Sequence, residues 1–276
     1  KQRHLNQTVH TSVLLSLISG VVLSVVGFFL SRTLLELMQS PPEVLSLATV
    51  YLKIYFLGMT ATMVYNFGSA LLRAKGDTKR PLYFLLFAGV VNVILNLIFV
   101  IVFKMDVAGV ALATVISQII SAGLVLRCLF LEEKGFKLYI GRLKINREIF
   151  FKILKVGLPA GFQGIVFSLS NVVIQSSVNS FGSIVIAGNS AASNLEGFVY
   201  VSMNAFHQAA ITATSQTMGA GKKERLNSVV IISQICVLCV GLLLGWSVLF
   251  LGPWLLQIYS SSPEVIDAGL NRPSIV

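Results

Sequence analysis

Seven apolar runs, each near the length of a bilayer-crossing helix, fill this chain: about residues 12–31, 46–72, 82–103, 107–130, 154–179, 184–214 and 228–251. A helix needs roughly 20 apolar residues to cross the hydrocarbon core of a membrane. The chain is 55% hydrophobic and 12% charged, with a mean hydropathy of +0.83. A soluble domain is about a quarter charged, so these runs have too little polar surface to cover them in water. The expectation is an all-α integral membrane protein of about seven spans.

The net charge of +10 invites a nucleic-acid reading, but the placement of the bases argues against one. Of 21 Lys and Arg residues, 17 fall before the first run or in alternate loops: Arg73 to Arg80, Arg127 to Lys155, and Lys222 to Arg225. Only Arg32, Lys53, Lys104 and Arg272 fall on the other side. Cytoplasmic loops carry such an excess, so the start of the chain is expected in the cytoplasm of a cell whose plasma membrane it crosses repeatedly. Membrane lipids are its expected partners and nucleic acid is not. Cys128, Cys236 and Cys239 read as small packing residues, because Cys236 and Cys239 lie within an apolar run without a third ligand nearby.

The chain also repeats itself. Residues 1–48 match residues 222–269 at 16 of 48 positions without a gap, including Leu5/Leu226, Gly20/Gly241 and Pro42/Pro263. Six spans separate the two starts, and an even number returns the chain to the same side. The copies are therefore parallel repeats about an axis along the membrane normal. A six-span period implies a parent of about twelve spans in two lobes. On that scheme residues 1–130 are the last four helices of an N-terminal lobe, 131–153 are a cytoplasmic inter-lobe loop, and 154–276 are the first three helices of a C-terminal lobe. A seven-span piece could not close a two-lobe cavity, so the chain by itself is expected not to transport.

Polar groups within spans are costly unless paired or hydrated, and so they mark function or helix contacts. In the sixth run Asn189, Ser193, Glu196, Tyr200, Asn204 and His207 fall on one helical stripe, and Glu196 is the one acid well inside any run. The stripe suits proton or cation handling, contact with a cationic substrate, or a helix-packing seam. Asn92 and Asn96 share a face of the third run, and Thr114, Gln118 and Ser121 share one in the fourth. Together they could coordinate a hard cation through oxygen or join helices. Tyr65 and Asn66 lie near the end of the second run. The fifth opens with GLPAGFQG and keeps Gln163, Asn171, Gln175 and Asn179 on one side; its glycines allow close approach or a bend. There is no Walker A loop, H-E-x-x-H or G-x-S-x-G, so nothing supports an ATP-driven pump or an enzyme.

The segments YNFGSALLRAKGDTKRPLYF (65–84), NVILNLIF (92–99), VAGVALATVISQ (107–118) and SQTMGAGKKERLN (215–227) resemble the multidrug and toxic compound extrusion (MATE) transporters. The resemblance covers nearly the whole chain. It implies a secondary antiporter without cofactor, functional as a monomer when full length, that exports small cationic, amphipathic organic molecules in exchange for Na⁺ or H⁺ by alternating access of two lobes. Residue by residue, the family's N-lobe cation site maps onto Asn92, Thr114 and Tyr65, with Asn96 where the family has an aspartate. The acid kept in the NorM branch has no counterpart, since Phe167 and Ser168 fall near that position. This resembles a DinF-like or unclassified bacterial branch and leaves Glu196 as the intramembrane carboxylate. Two other readings are a lipid-linked oligosaccharide flippase of the same superfamily, which calls for bases in the cavity, and a non-transporting membrane scaffold.

Overall fold

The structure is a computed structural model that describes residues 2–37, 42–133, 135–179, 183–259 and 262–271. It is helical, with no strand among the described residues. The helices are α1 (Gln2–Leu37), α2 (Pro42–Leu57), α3 (Met59–Lys75), α4 (Lys79–Leu97), α5 (Asp106–Leu131), α6 (Arg147–Asn179), α7 (Ser183–Gly219), α8 (Leu226–Tyr259) and α9 (Pro263–Asn271). They fall into two compact units, Lys1–Val156 and Gly157–Val276.

In the first unit α1 packs on α2 and α3, while α5 packs on α2, α3 and α4. Val9, Val13, Val64, Leu71, Leu72, Val125, Leu129 and Leu138 form its core. The run expected as one span at 46–72 is two helices, α2 and α3, bent by 45°. Gly58 explains the break. Its N–H turns back to the Tyr55 carbonyl at 3.0 Å, and a Cβ there would stand 2.8 Å from Val115 Cγ2 on α5. Only glycine allows so close a pass. At the other end of α3, Gly76 has φ 100°, the left-handed C-cap that suits glycine. Pro81 then occupies the first turn of α4, where its missing N–H costs nothing. A π-helical turn, Ile98–Val102, ends α4.

The linker between α5 and α6 is not slack. Leu138 is buried in the core, and its N–H donates to Leu129 O at 3.0 Å. The start of α1 binds the rest. Asn6 Nδ2 donates to Lys137 O at 3.2 Å, and the Asn146 N–H donates to Thr11 Oγ1 at 3.0 Å. His10, 2% exposed, accepts the Tyr139 N–H on Nε2 at 3.0 Å, and its Nδ1 lies 2.7 Å from Asn6 O.

In the second unit α7 packs on α8 and α9 around Ala191, Leu195 and Leu256. Gly157, Gly161 and Gly164 of α6 have nothing within 4 Å of a built Cβ, so among the described residues they serve no close helix approach. Pro159 lies inside α6. Five described helices are long and apolar enough to cross a membrane, or six if the bent α2–α3 pair is one span. The sixth apolar run of the sequence is α7, which is 37 residues long, carries the polar stripe and is not among those helices.

Candidate functional site

Two groups of polar side chains stand within the long helices, one in each unit. In the first, Asn92 Nδ2 faces Thr114 Oγ1 and Ser117 Oγ of α5, each at 3.5 Å, and Asn96 Nδ2 donates to Asn92 Oδ1 at 3.0 Å. Both hydroxyl protons are spent on the backbone: Thr114 donates to Val110 O at 2.9 Å and Ser117 to Thr114 O at 2.8 Å. Their lone pairs therefore face the asparagines, and the cluster is rich in acceptors. Asn96 Oδ1 is buried with no partner. Reversing the Asn96 amide would set two oxygens against each other, so the hydrogen-bond network supports the orientation. A buried orphan acceptor costs about 1–3 kcal/mol, and a proton donor or a hard cation would relieve it.

The structure brings Asn92, Asn96 and Thr114 together, with other neighbours than the sequence suggested. Ser117, not Gln118 or Ser121, completes the cluster; Ser121 turns its hydroxyl back to Gln118 O at 2.9 Å. Ser117 lies three residues after Thr114, a spacing that also shares a helix face and could have revealed it. Tyr65 is elsewhere. Its hydroxyl donates to Pro81 O at 3.0 Å, at the start of α4. Eleven residues of helix, about 16 Å at 1.5 Å each, separate Pro81 from Asn92, so Tyr65 ties α3 to α4.

In the second unit the α7 stripe faces α8. Glu196, Tyr200 and Met203 line a cavity of about 510 Å³ with Leu195, Gly245 and Val248. Tyr200, Asn204 and His207 line another of about 550 Å³ with Ser233 and Gln234. Tyr200 borders both, so the stripe is one continuous wall. Asn189 and Ser193 begin it; Asn189 is buried, and Ser193 Oγ donates to Asn189 O at 2.8 Å. Phe167 of α6 stacks on Tyr200 with centroids 6.2 Å apart, a contact the sequence did not reveal. Gln163 and Asn171 of α6 are exposed and line neither cavity, and the side chain of Gln175 lies outside the described residues. No Lys or Arg lines either cavity. A carboxyl group beside stacked aromatic rings suits an organic cation.

The repeat shows what the α8 side of these cavities is. Val230, Ser233, Gln234, Gly245 and Gly252 correspond at the 221-residue offset to Val9, Ser12, Val13, Ser24 and Ser31 of α1. Those five are buried in the first unit, where α1 packs on α2 and α3. The α8 wall therefore has the form of a helix seat, and the α7 wall carries the chemistry.

A third cluster, outside the membrane, escaped the sequence reading. Glu132, just past α5, accepts from Lys75 on Oε2 and from Arg80 on Oε1. Arg80 also pairs with Asp77, and its Nη1 lies 2.9 Å from Cys128 Sγ. The cluster ties together the ends of α3, α4 and α5. Burial works to raise the carboxyls of Glu132 and Asp77, but their Lys and Arg partners outweigh it and hold both below the usual carboxylate range. No group of three potential metal ligands occurs among the described residues.

Comparison with known proteins adds a third line. The sequence model of the MatE family matches residues 1–98 and 159–275. A probable multidrug resistance protein of Bacillus subtilis, YpnP, is 34% identical over 88% of this chain and 54% of its own length. A second from the same organism, YoeA, is 28% identical over 83% of the chain and 51% of its length. The chain thus spans about half the length of these curated relatives. An outward-facing MATE-family multidrug resistance transporter of the MOP superfamily superposes with a TM-score of 0.86 at 21% identity, covering 96% of this chain and 60% of that one. At that identity the likeness speaks for the fold.

Proposed function

This chain belongs to the MatE family, and from that premise we propose that its protein is a secondary antiporter of the cell membrane, exporting cationic, amphipathic organic molecules in exchange for Na⁺ or H⁺. The observation that carries the reading is the α7 wall. Glu196 supplies a carboxyl group on the cavity wall, and Tyr200 and Phe167 supply aromatic faces one turn along. The names of the Bacillus relatives, both probable multidrug resistance proteins, support a drug-like substrate. The Asn92–Asn96–Thr114–Ser117 cluster is the proposed N-lobe seat of the coupling ion. It is neutral, and Glu196 is the proposed group that changes charge during coupling. Exchange proceeds by alternating access of the two lobes, with the start of the chain in the cytoplasm.

The test uses the full-length protein in proteoliposomes loaded with a fluorescent organic cation, under an imposed Na⁺ gradient or an imposed pH gradient. Efflux driven by one gradient is expected, and Glu196→Gln should lower its rate by about tenfold or more, the scale of one lost ion-pair interaction of about 1.4 kcal/mol. Efflux insensitive to both gradients would reject antiport. An unchanged rate in Glu196→Gln would remove that carboxylate from the mechanism.

A further inference from the structure

The inter-lobe linker has two faces of opposite character. The inner face is held by α1 through Leu138, His10 and Thr11. The outer face carries Ile140, 70% exposed, at the tip of a short 3-10 turn, with Ile145 beyond it. Around these apolar tips stand Lys137, Arg142, Lys144 and Arg147, and no acid occurs from Gly135 to Arg147. The nearest acids are engaged elsewhere or set apart. Glu132 is buried between Lys75 and Arg80, Glu148 pairs with Lys152 at 2.5 Å, and Glu133 precedes the segment. The Lys137 and Arg142 cations lie 5.8 and 5.1 Å from the Tyr139 ring centroid, which fixes two of the bases near the turn.

The depth of this surface follows from α1. Its 36 residues span about 54 Å at 1.5 Å each, against a hydrocarbon core of about 30 Å. The turns that grip the linker, from Asn6 to Thr11, lie at the helix start, ahead of the apolar run at 12–31, where a helix longer than the hydrocarbon core can reach the headgroups. The repeat shows that the grip belongs to the first copy. His10 and Thr11 correspond to Ile231 and Ile232 of α8, both exposed side chains that can make none of these hydrogen bonds. The first copy departs from its duplicate where it holds the linker.

We propose that the outer face of the linker, Lys137 to Arg147, is a docking surface for the anionic lipids of the protein's own membrane, with Ile140 and Ile145 entering the interface and the four bases meeting headgroup phosphates. Basic residues beside a span attract anionic headgroups, each to about fivefold in affinity. An apolar tip among bases fits a lipid surface better than a free anion, which would leave both isoleucines in water. The arrangement anchors the linker to the membrane surface as well as to α1. It is independent of what the protein transports.

The test places an indole at the tip by Ile140→Trp in the full-length protein, reconstituted in nanodiscs, and subtracts the emission of the parent with its native tryptophans. The added emission should be blue-shifted. Brominated phosphatidylglycerol should quench it several-fold more strongly than brominated phosphatidylcholine. Lys137→Gln, Arg142→Gln and Lys144→Gln combined should abolish that preference. The linker hydrogen bonds use the main-chain carbonyls of Lys137 and Lys144, so the grip of α1 should survive, and an unchanged melting midpoint in detergent checks this. Equal quenching by both lipids overturns the proposal. So does an indole that emits as if in water and shifts only on adding a soluble acidic peptide.

Discussion

Replacing Glu132 with glutamine isolates what the charged lock at the ends of α3, α4 and α5 contributes. The carboxylate is 3% exposed and meets two cations. Glutamine keeps the shape and one acceptor oxygen but loses the charge. A hydrogen bond to a charged group contributes about 1.5–3 kcal/mol, against about 1 for a neutral one. Two such losses set an upper range of about 1–4 kcal/mol. Lys75 and Arg80 retain 31% and 44% side-chain exposure. Water can therefore reach both, and the cost stays below the roughly 3–5 kcal/mol for orphaning a fully buried charge. We expect about 2 kcal/mol from these bounds.

The pH dependence has a definite sign. Glu132 and Asp77 are held below their ordinary values, with partner cations outweighing burial. The folded chain therefore binds fewer protons there than the unfolded chain. Their contribution is complete above the unfolded carboxyl values of about 4 and is lost as pH falls through the lower folded ones. Cys128, buried beside Arg80 at 2.9 Å, supplies the readout. With Cys236→Ala and Cys239→Ala it is the one thiol left in residues 1–276, and a thiol-reactive fluorophore on that chain reports its exposure as detergent-solubilised protein is heated. Glu132→Gln should lower the midpoint and flatten its decline below about pH 5, with the Asp77 share remaining. An unchanged midpoint and the same acid profile would refute the reasoning.

Two further outcomes follow from close contacts. Gly68→Ala would set a Cβ 2.2 Å from Val125 Cγ1; overpacking costs about 1–3 kcal/mol, and pairing it with Val125→Ala should recover much of the loss in the same thiol-exposure melt, whereas strict additivity would show that α3 and α5 do not meet there. Asn96→Leu removes the orphaned oxygen along with one hydrogen bond worth about 1 kcal/mol, so stability should move little; Na⁺ replacing choline at constant ionic strength should raise the melting midpoint of the parent and not of the variant, and no Na⁺ effect in the parent would take Na⁺ out of this cluster.

Composition and periodicity carried the membrane fold because burial of apolar runs is a local property of sequence. What they missed depends on contacts between distant residues. The break at Gly58 lies inside an unbroken apolar run, and only its close pass against Val115 explains it. Glu132 lies just outside a run, where an acid is unremarkable, and its partners stand 57 and 52 residues earlier. The polar positions of α4 and α5 were legible, but which of them meet depends on the phase of two helices against each other. Ser117 rather than Gln118 was decided there.

The repeat separates packing from chemistry more sharply than either copy alone. Val9, Ser12, Leu17 and Leu35 of α1 recur unchanged as Val230, Ser233, Leu238 and Leu256 of α8, and all four α8 residues border the two cavities. In the first copy Val9 and Ser12 are buried. Identity at these positions therefore preserves a helix-packing face, and substitutions there should act on assembly before they act on substrate. Glu196, Tyr200, Asn204 and His207 belong to α7, whose positions at the 221-residue offset fall outside the 48 matched residues, so the repeat does not bear on them. The α8 wall can thus be read through the duplication as a packing face, and it is on the α7 wall, with its carboxyl, phenol, amide and imidazole groups, that a search for substrate contacts should begin.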